Sequence, residues 1–142
     1  MAIKMRFLYA SGQAKMKALG EAIREEFSLS ANNDAVDAIP PAYPCEKERL
    51  LILGISSKGD LSDSVRRFCS ELNPKRAANV AVIIDGNEAG AQKVLEALKI
   101  AGTNVVDDPK FLACGFFNRK LKDDERASLL GWLHEVIDNK LV

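Results

Sequence analysis

Apolar residues follow a repeating order along this chain: a short continuous run, a break, then a longer stretch in which they recur every three or four positions. Ile3 to Tyr9 is the first such run, and Ser11-Gly12 breaks it. From Ala14, Met16, Leu19, Ile23 and Phe27 recur at helical spacing, while Lys17, Glu21, Arg24 and Glu25 fill the other face. Gly20 falls on the buried side and predicts a close helix-sheet approach that a Cβ would obstruct. A short strand is expected near Val36 to Ile39. Pro40, Pro41 and Pro44 then rule out a helix and predict a crossover loop.

Arg49 to Ile55 is the next strand, with Leu50 to Leu53 continuously apolar, as expected when both sheet faces are covered. Asp60 is the expected N-cap of a helix carrying Leu61, Val65, Phe68, Cys69 and Leu72, which Asn73-Pro74 ends. Val80 to Ile84 is a third clear strand, closed by Asp85-Gly86-Asn87. The helix after it presents Ala91, Val94, Leu95 and Leu98 and stops at Gly102. Val105-Val106 and Phe111 to Cys114 are two short extended pieces. Asp123 or Asp124 is expected to cap a final helix with Leu129, Leu130, Leu133, Val136 and Ile137 as its stripe.

Alternating strands and helices, with no repeat and no linker, predict one α/β domain over 1–142. Its fold class is a doubly wound, three-layer α/β/α sandwich around a parallel sheet with right-handed crossovers. Ligands of such sheets bind beyond the carboxyl ends of the strands, where strand order reverses. The loops expected there are Ala10 to Lys15, Gly54 to Asp60 and Asp85 to Ala89.

Composition narrows the function more than the fold. Lys plus Arg equals Asp plus Glu at 20 each, so no overall field draws in nucleic acid or an anionic membrane. Cys45, Cys69 and Cys114 are odd in number and widely spaced, unlike a disulfide framework or a zinc pattern, and a reducing cytoplasm is expected. No apolar run approaches a membrane span, and the start is too interrupted for a signal peptide.

Motifs of the doubly wound enzymes are missing. There is no G-x-G-x-x-G and no G-x-x-x-x-G-K-S/T. Tyr9-Ala10-Ser11 and Gly54-Ile55 stand where a phosphoacceptor receiver would need acids. The first loop lacks the cysteine and arginine of a low-molecular-weight tyrosine phosphatase.

Tyr9-Ala10-Ser11-Gly12-Gln13-Ala14-Lys15-Met16 resembles the S-G-T-G-N-T turn of the flavodoxin family, with similar spacing to Glu21-Ala22-Ile23. Leu51 to Gly59 resembles the family's second loop, and Phe111 to Phe116 its last strand. The resemblance covers nearly the whole chain and implies a five-stranded sheet in the order 2-1-3-4-5. It also implies an FMN site drawn from Ser11, Gly12, Gln13, Ala14 and Lys15, from Ser56, Ser57, Lys58 and Gly59, and from Asp85, Gly86 and Asn87. Departures concentrate on those residues. Gln13 to Met16 replace hydroxyl donors and a glycine, Lys15 offers charge instead, Ser56 replaces a proline, and Lys58 stands where an aromatic would stack on the flavin. Neither Tyr9 nor Tyr43 is an obvious substitute, and the neutral chain lacks the acidity usual in the family.

The expectation is therefore a flavodoxin-like protein binding FMN in a weakened or altered site and exchanging electrons with a redox partner protein. The alternative is a flavodoxin-fold module that has lost FMN and serves as a binding or regulatory partner. An enzyme acting on a small phosphorylated ligand lacks a recognisable nucleophile or base. His134 is expected to be structural or at the surface, Trp132 partly buried, Cys114 inert packing, Asn87 a helix cap, and Arg119 to Glu125 a solvated mixed-charge loop.

Overall fold

A computed structural model describes residues 3–10, 13–29, 36–39, 41, 45–57, 61–115 and 119–142. The elements are β1 (Met5–Ala10), α1 (Ala14–Glu26), β2 (Val36–Ala38), β3 (Leu50–Ser57), α2 (Asp63–Ser70), β4 (Asn79–Gly86), α3 (Glu88–Ala101), β5 (Asn104–Val105), β6 (Lys110–Phe111) and α4 (Asp123–Asn139).

The sheet is parallel throughout and runs β2-β1-β3-β4-β5, the order expected. Its last position differs from the single fifth strand anticipated. β3 fills one edge of β4 from Val80 to Gly86, so β5 at Asn79–Val80 and β6 at Ile83–Ile84 share the other. Val106 to Pro109 interrupts the ladder between them. Pro109 has no N–H to contribute, so the strand breaks there and resumes at Lys110.

Successive strand residues face opposite sides of the sheet, and both sides are apolar. Leu51, Leu53, Ile55, Val80, Val82 and Ile84 pack with Val65 and Cys69 of α2 and Ala91, Val94 and Leu98 of α3. Met5, Phe7, Leu50, Ile52, Ala81 and Ile83 pack with Met16, Leu19 and Ile23 of α1 and Leu130, Leu133 and Val136 of α4. Each fully buried Leu or Ile contributes about 1.5–3 kcal/mol of transfer free energy. This two-sided burial explains why β3 and β4 read as unbroken apolar runs.

Close backbone approach joins α1 to the sheet. A Cβ on Gly20 would lie 3.1 Å from Phe7 Cδ2 and from Val36 Cγ1, as the sequence led us to expect. Gly54 is tighter still: its Cβ would meet Met16 Sδ at 2.7 Å and Phe7 Cζ at 2.8 Å.

Two helix starts differ from expectation. α2 begins at Asp63 under Ser62, whose hydroxyl accepts from the Val65 N–H at 3.4 Å, while Asp60 lies outside the described residues. Leu61 and Leu72 flank this shorter helix and still pack on the core. In α4, Lys122 is the N-cap and Asp123, Asp124 and Glu125 form the first turn, where their charges favour the helix dipole. Among the described residues no helix is long and apolar enough to cross a membrane.

Candidate functional site

Chain order and strand order part between β1 and β3: from β1 the chain goes out to β2 and then returns across to β3. Crossovers leaving in opposite directions open a crevice beyond the carboxyl ends of those strands. Ala10 lies beside Ile55, Ser56 beside Asp85, and Ser57 beside Gly86. Gln13, Ala14 and Lys15 at the start of α1 therefore share one end of the sheet with Ser56, Ser57, Asp85, Gly86 and Asn87. Ser11, Gly12, Lys58, Gly59 and Tyr43 lie outside the described residues, as does the side chain of Ser57.

The α1 start is built for backbone donation. Gln13 is extended and makes no side-chain cap, its carbonyl accepts from the Met16 and Lys17 N–H groups, and the first turn holds no acid. The earliest amides of a helix have no intrahelical acceptor, and here no carboxylate of the same turn offsets their partial positive charge.

Lys15 does not add to that charge outwardly. Only 1% exposed, its ammonium donates at 2.7 Å to the Ala113 carbonyl and at 2.7 Å to Glu125 Oε2. The expectation that Lys15 offers charge to a ligand is corrected by this pairing. Burial pushes the Glu125 carboxyl up, but the Lys15 hydrogen bond and the Lys122 N–H outweigh it and hold the group below its ordinary range.

Asp85, also 1% exposed, gathers the neighbouring strand ends. Its Oδ2 accepts from the Ser56 hydroxyl at 3.0 Å and its Oδ1 from the Cys114 N–H at 3.1 Å. Through Ala113-Cys114 the α1 start is thus hydrogen-bonded, step by step, to the ends of β4 and β3. Cys114 is buried as expected, and its backbone supplies a contact the sequence did not suggest.

The second and third loops are shorter than anticipated. β3 runs on to Ser57, so Gly54 to Ser57 is strand. β4 runs to Gly86 and α3 begins at Glu88, so Asn87 alone connects them, and its side chain caps α3 by accepting from the Gly90 N–H at 3.0 Å. The loop expected over Asp85 to Ala89 is in fact a strand end, one cap residue and a helical turn.

Sequence reasoning missed Ala113 and Glu125. One clue was present: Lys15 shares the stripe of Leu19 and Ile23, four and eight positions on, and so points inward. Nothing local identified its partners. Tyr9 stacks on Phe7 with centroids 6.2 Å apart and is half-buried against the core on the α1–α4 side. His134 is exposed and meets Glu26 Oε2 at 2.7 Å, and Trp132 is half-buried, as expected. Among the described residues no group of three acids, histidines or cysteines is placed to hold a metal.

No protein-family model matches the chain, and no curated protein matches its sequence. Among solved structures, the crystal structure of oxidised flavodoxin 2 from Bacillus cereus superposes with a TM-score of 0.66 at 15% identity, covering 95% of this chain and 98% of that one. The chain has a flavodoxin-like fold.

Residues at this crevice would suit the two ends of an FMN molecule unequally. For the phosphate, the acid-free start of α1 at the switch point is a suitable donor set. Side chains contribute less, since Lys15 and Ser56 already hold protein partners. The narrow space beneath Gly54 is filled by Met16 and Phe7, so that glycine serves helix packing rather than a ligand. Asn87 is too short a connection to fold over a ring.

Proposed function

We propose that this flavodoxin-like protein binds FMN, with the phosphate at the start of α1, and transfers electrons to a partner protein in the cytoplasm. The observation that carries the reading is the switch-point crevice between β1 and β3, faced by an α1 turn with no acid in it. Gln13, Ala14 and Lys15 would hold the phosphate through backbone N–H groups, joined by Ser11 and Gly12, which precede them in sequence. Bound FMN would supply one- and two-electron redox chemistry, which the protein positions and tunes. Asp85 and Ser56 would set the polar floor under the ring end. With no net charge on the chain, its field would do little to steer a redox partner, leaving docking to short-range contacts.

A second reading, a flavodoxin-fold module that works without FMN as a binding or regulatory partner, is favoured by the engagement of Lys15 and Ser56 with protein atoms. One titration separates the two. Reconstituted with excess FMN, the protein is expected to retain flavin, shift its visible spectrum and quench its fluorescence, and Ser11→Ala is expected to weaken binding several-fold. Absence of quenching up to high micromolar FMN would refute electron transfer in favour of the module.

A further inference from the structure

Asn87 alone connects the end of β4 to α3. Beside it lies a cleft of about 380 Å³, walled by the β4 end from Ile84 to Asn87 and by the 111–114 segment. Phe111 lines it and is 47% exposed, the one aromatic among the described residues' exposed large apolar side chains; the others are Ile100 and Val142. Neither of those stands at the ligand end of the sheet.

The register explains the placement of Phe111. Phe111 pairs with Ile84, whose side chain belongs to the α2–α3 side, and Leu112 next to it packs on the opposite side. Phe111 is therefore on the α3 side of a broken edge strand, at the height where α3 is just starting. Leaving a phenyl ring half in water costs free energy that burial against another flat apolar surface would recover. The Phe111 ring gives the cleft an apolar wall beside the backbone of the β4 end and of 111–114, and an apolar surface paired with a few polar groups is what a small-molecule site needs.

We propose that this cleft seats a planar heteroaromatic ring with Phe111 as its stacking surface. On the FMN reading, on which the identity of the ring rests, that ring is the isoalloxazine, displaced toward β6 because the Asn87 turn provides no cover. The distance allows it. From the end of β1 to β6 there are three strand spacings, about 14 Å. A phosphate, a ribityl chain and a tricyclic ring laid across the strand ends span that distance.

Titrations with FMN and with lumichrome, the bare ring, test it, each followed by flavin fluorescence and by amide chemical shifts. Wild type is expected to bind lumichrome with shifts at 84–87 and 111–114, Phe111→Ala to lose roughly tenfold in affinity, and Phe111→Tyr to restore it. Unchanged melting temperatures of both variants would show that the fold is intact. FMN bound equally by wild type and Phe111→Ala overturns the ring seat while leaving the FMN reading standing. Lumichrome bound in a Phe111-dependent way without FMN binding upholds the seat and overturns that reading. Absence of lumichrome shifts in the cleft overturns the seat.

Discussion

Gly54 sits in the middle of β3, where a side chain of any size would be driven into Met16 Sδ and Phe7 Cζ. Phe7 and Met16 are both fully buried, so neither has room to swing aside. Gly54→Ala is expected to destabilise the protein by about 1–3 kcal/mol in urea unfolding, with no effect on the slope. An unchanged midpoint would show that α1 can lift away from the sheet. Lys15 marks the limit of sequence reading at this scale. Its inward direction was visible in its spacing to Leu19, but its partners Ala113 and Glu125 stand 98 and 110 positions away, and nothing local specifies them. Had they been visible, the Lys15 ammonium would not have been counted as charge offered to a ligand.

Helices and strands were largely legible because each face of the sheet is covered by two helices, which leaves continuous apolar runs in β3 and β4 and clear stripes on the helices. Element ends were less so. Asp85-Gly86-Asn87 has turn composition, yet Asp85 and Gly86 stay in β4 because Ser56 and Cys114 satisfy the buried carboxylate. At the broken edge, Asp107 accepts from Trp132 Nε1 at 2.8 Å and from Lys140 Nζ at 3.1 Å, tying the insertion between β5 and β6 to α4. The Trp132 hydrogen bond, then that of Lys140, lower the Asp107 carboxyl to about 2 from 3.8. A carboxylate lowered in the folded state stabilises it above the unfolded value and ceases to do so as pH falls through the folded one. Trp132→Phe is therefore expected to be less stable than wild type near neutral pH, with the gap narrowing between about pH 4 and about pH 2. A gap independent of pH would assign the loss to packing alone.

For the whole molecule, alternation predicted the parallel sheet and the family resemblance its strand order, whereas the site depends on contacts between distant segments. Cys45, Cys69 and Cys114 are free and buried in the two cores, and burial pushes the Cys69 thiol up to about 12. Ellman's reagent is expected to label none of them promptly in the native protein and all three on unfolding; a thiol labelled at once in the folded state would contradict the packing around it. The split between β5 and β6 has a consequence for behaviour at high concentration. An exposed sheet edge is a template on which a second chain can add a strand, and aggregation starts from such edges. Here that side offers only two residues, then Val106, Asp107, Asp108 and Pro109, then two more, while the opposite edge strand, β2, is three residues long. That side gives an incoming strand no continuous ladder, so the interruption that complicates the last strand also protects this edge of the sheet from growing.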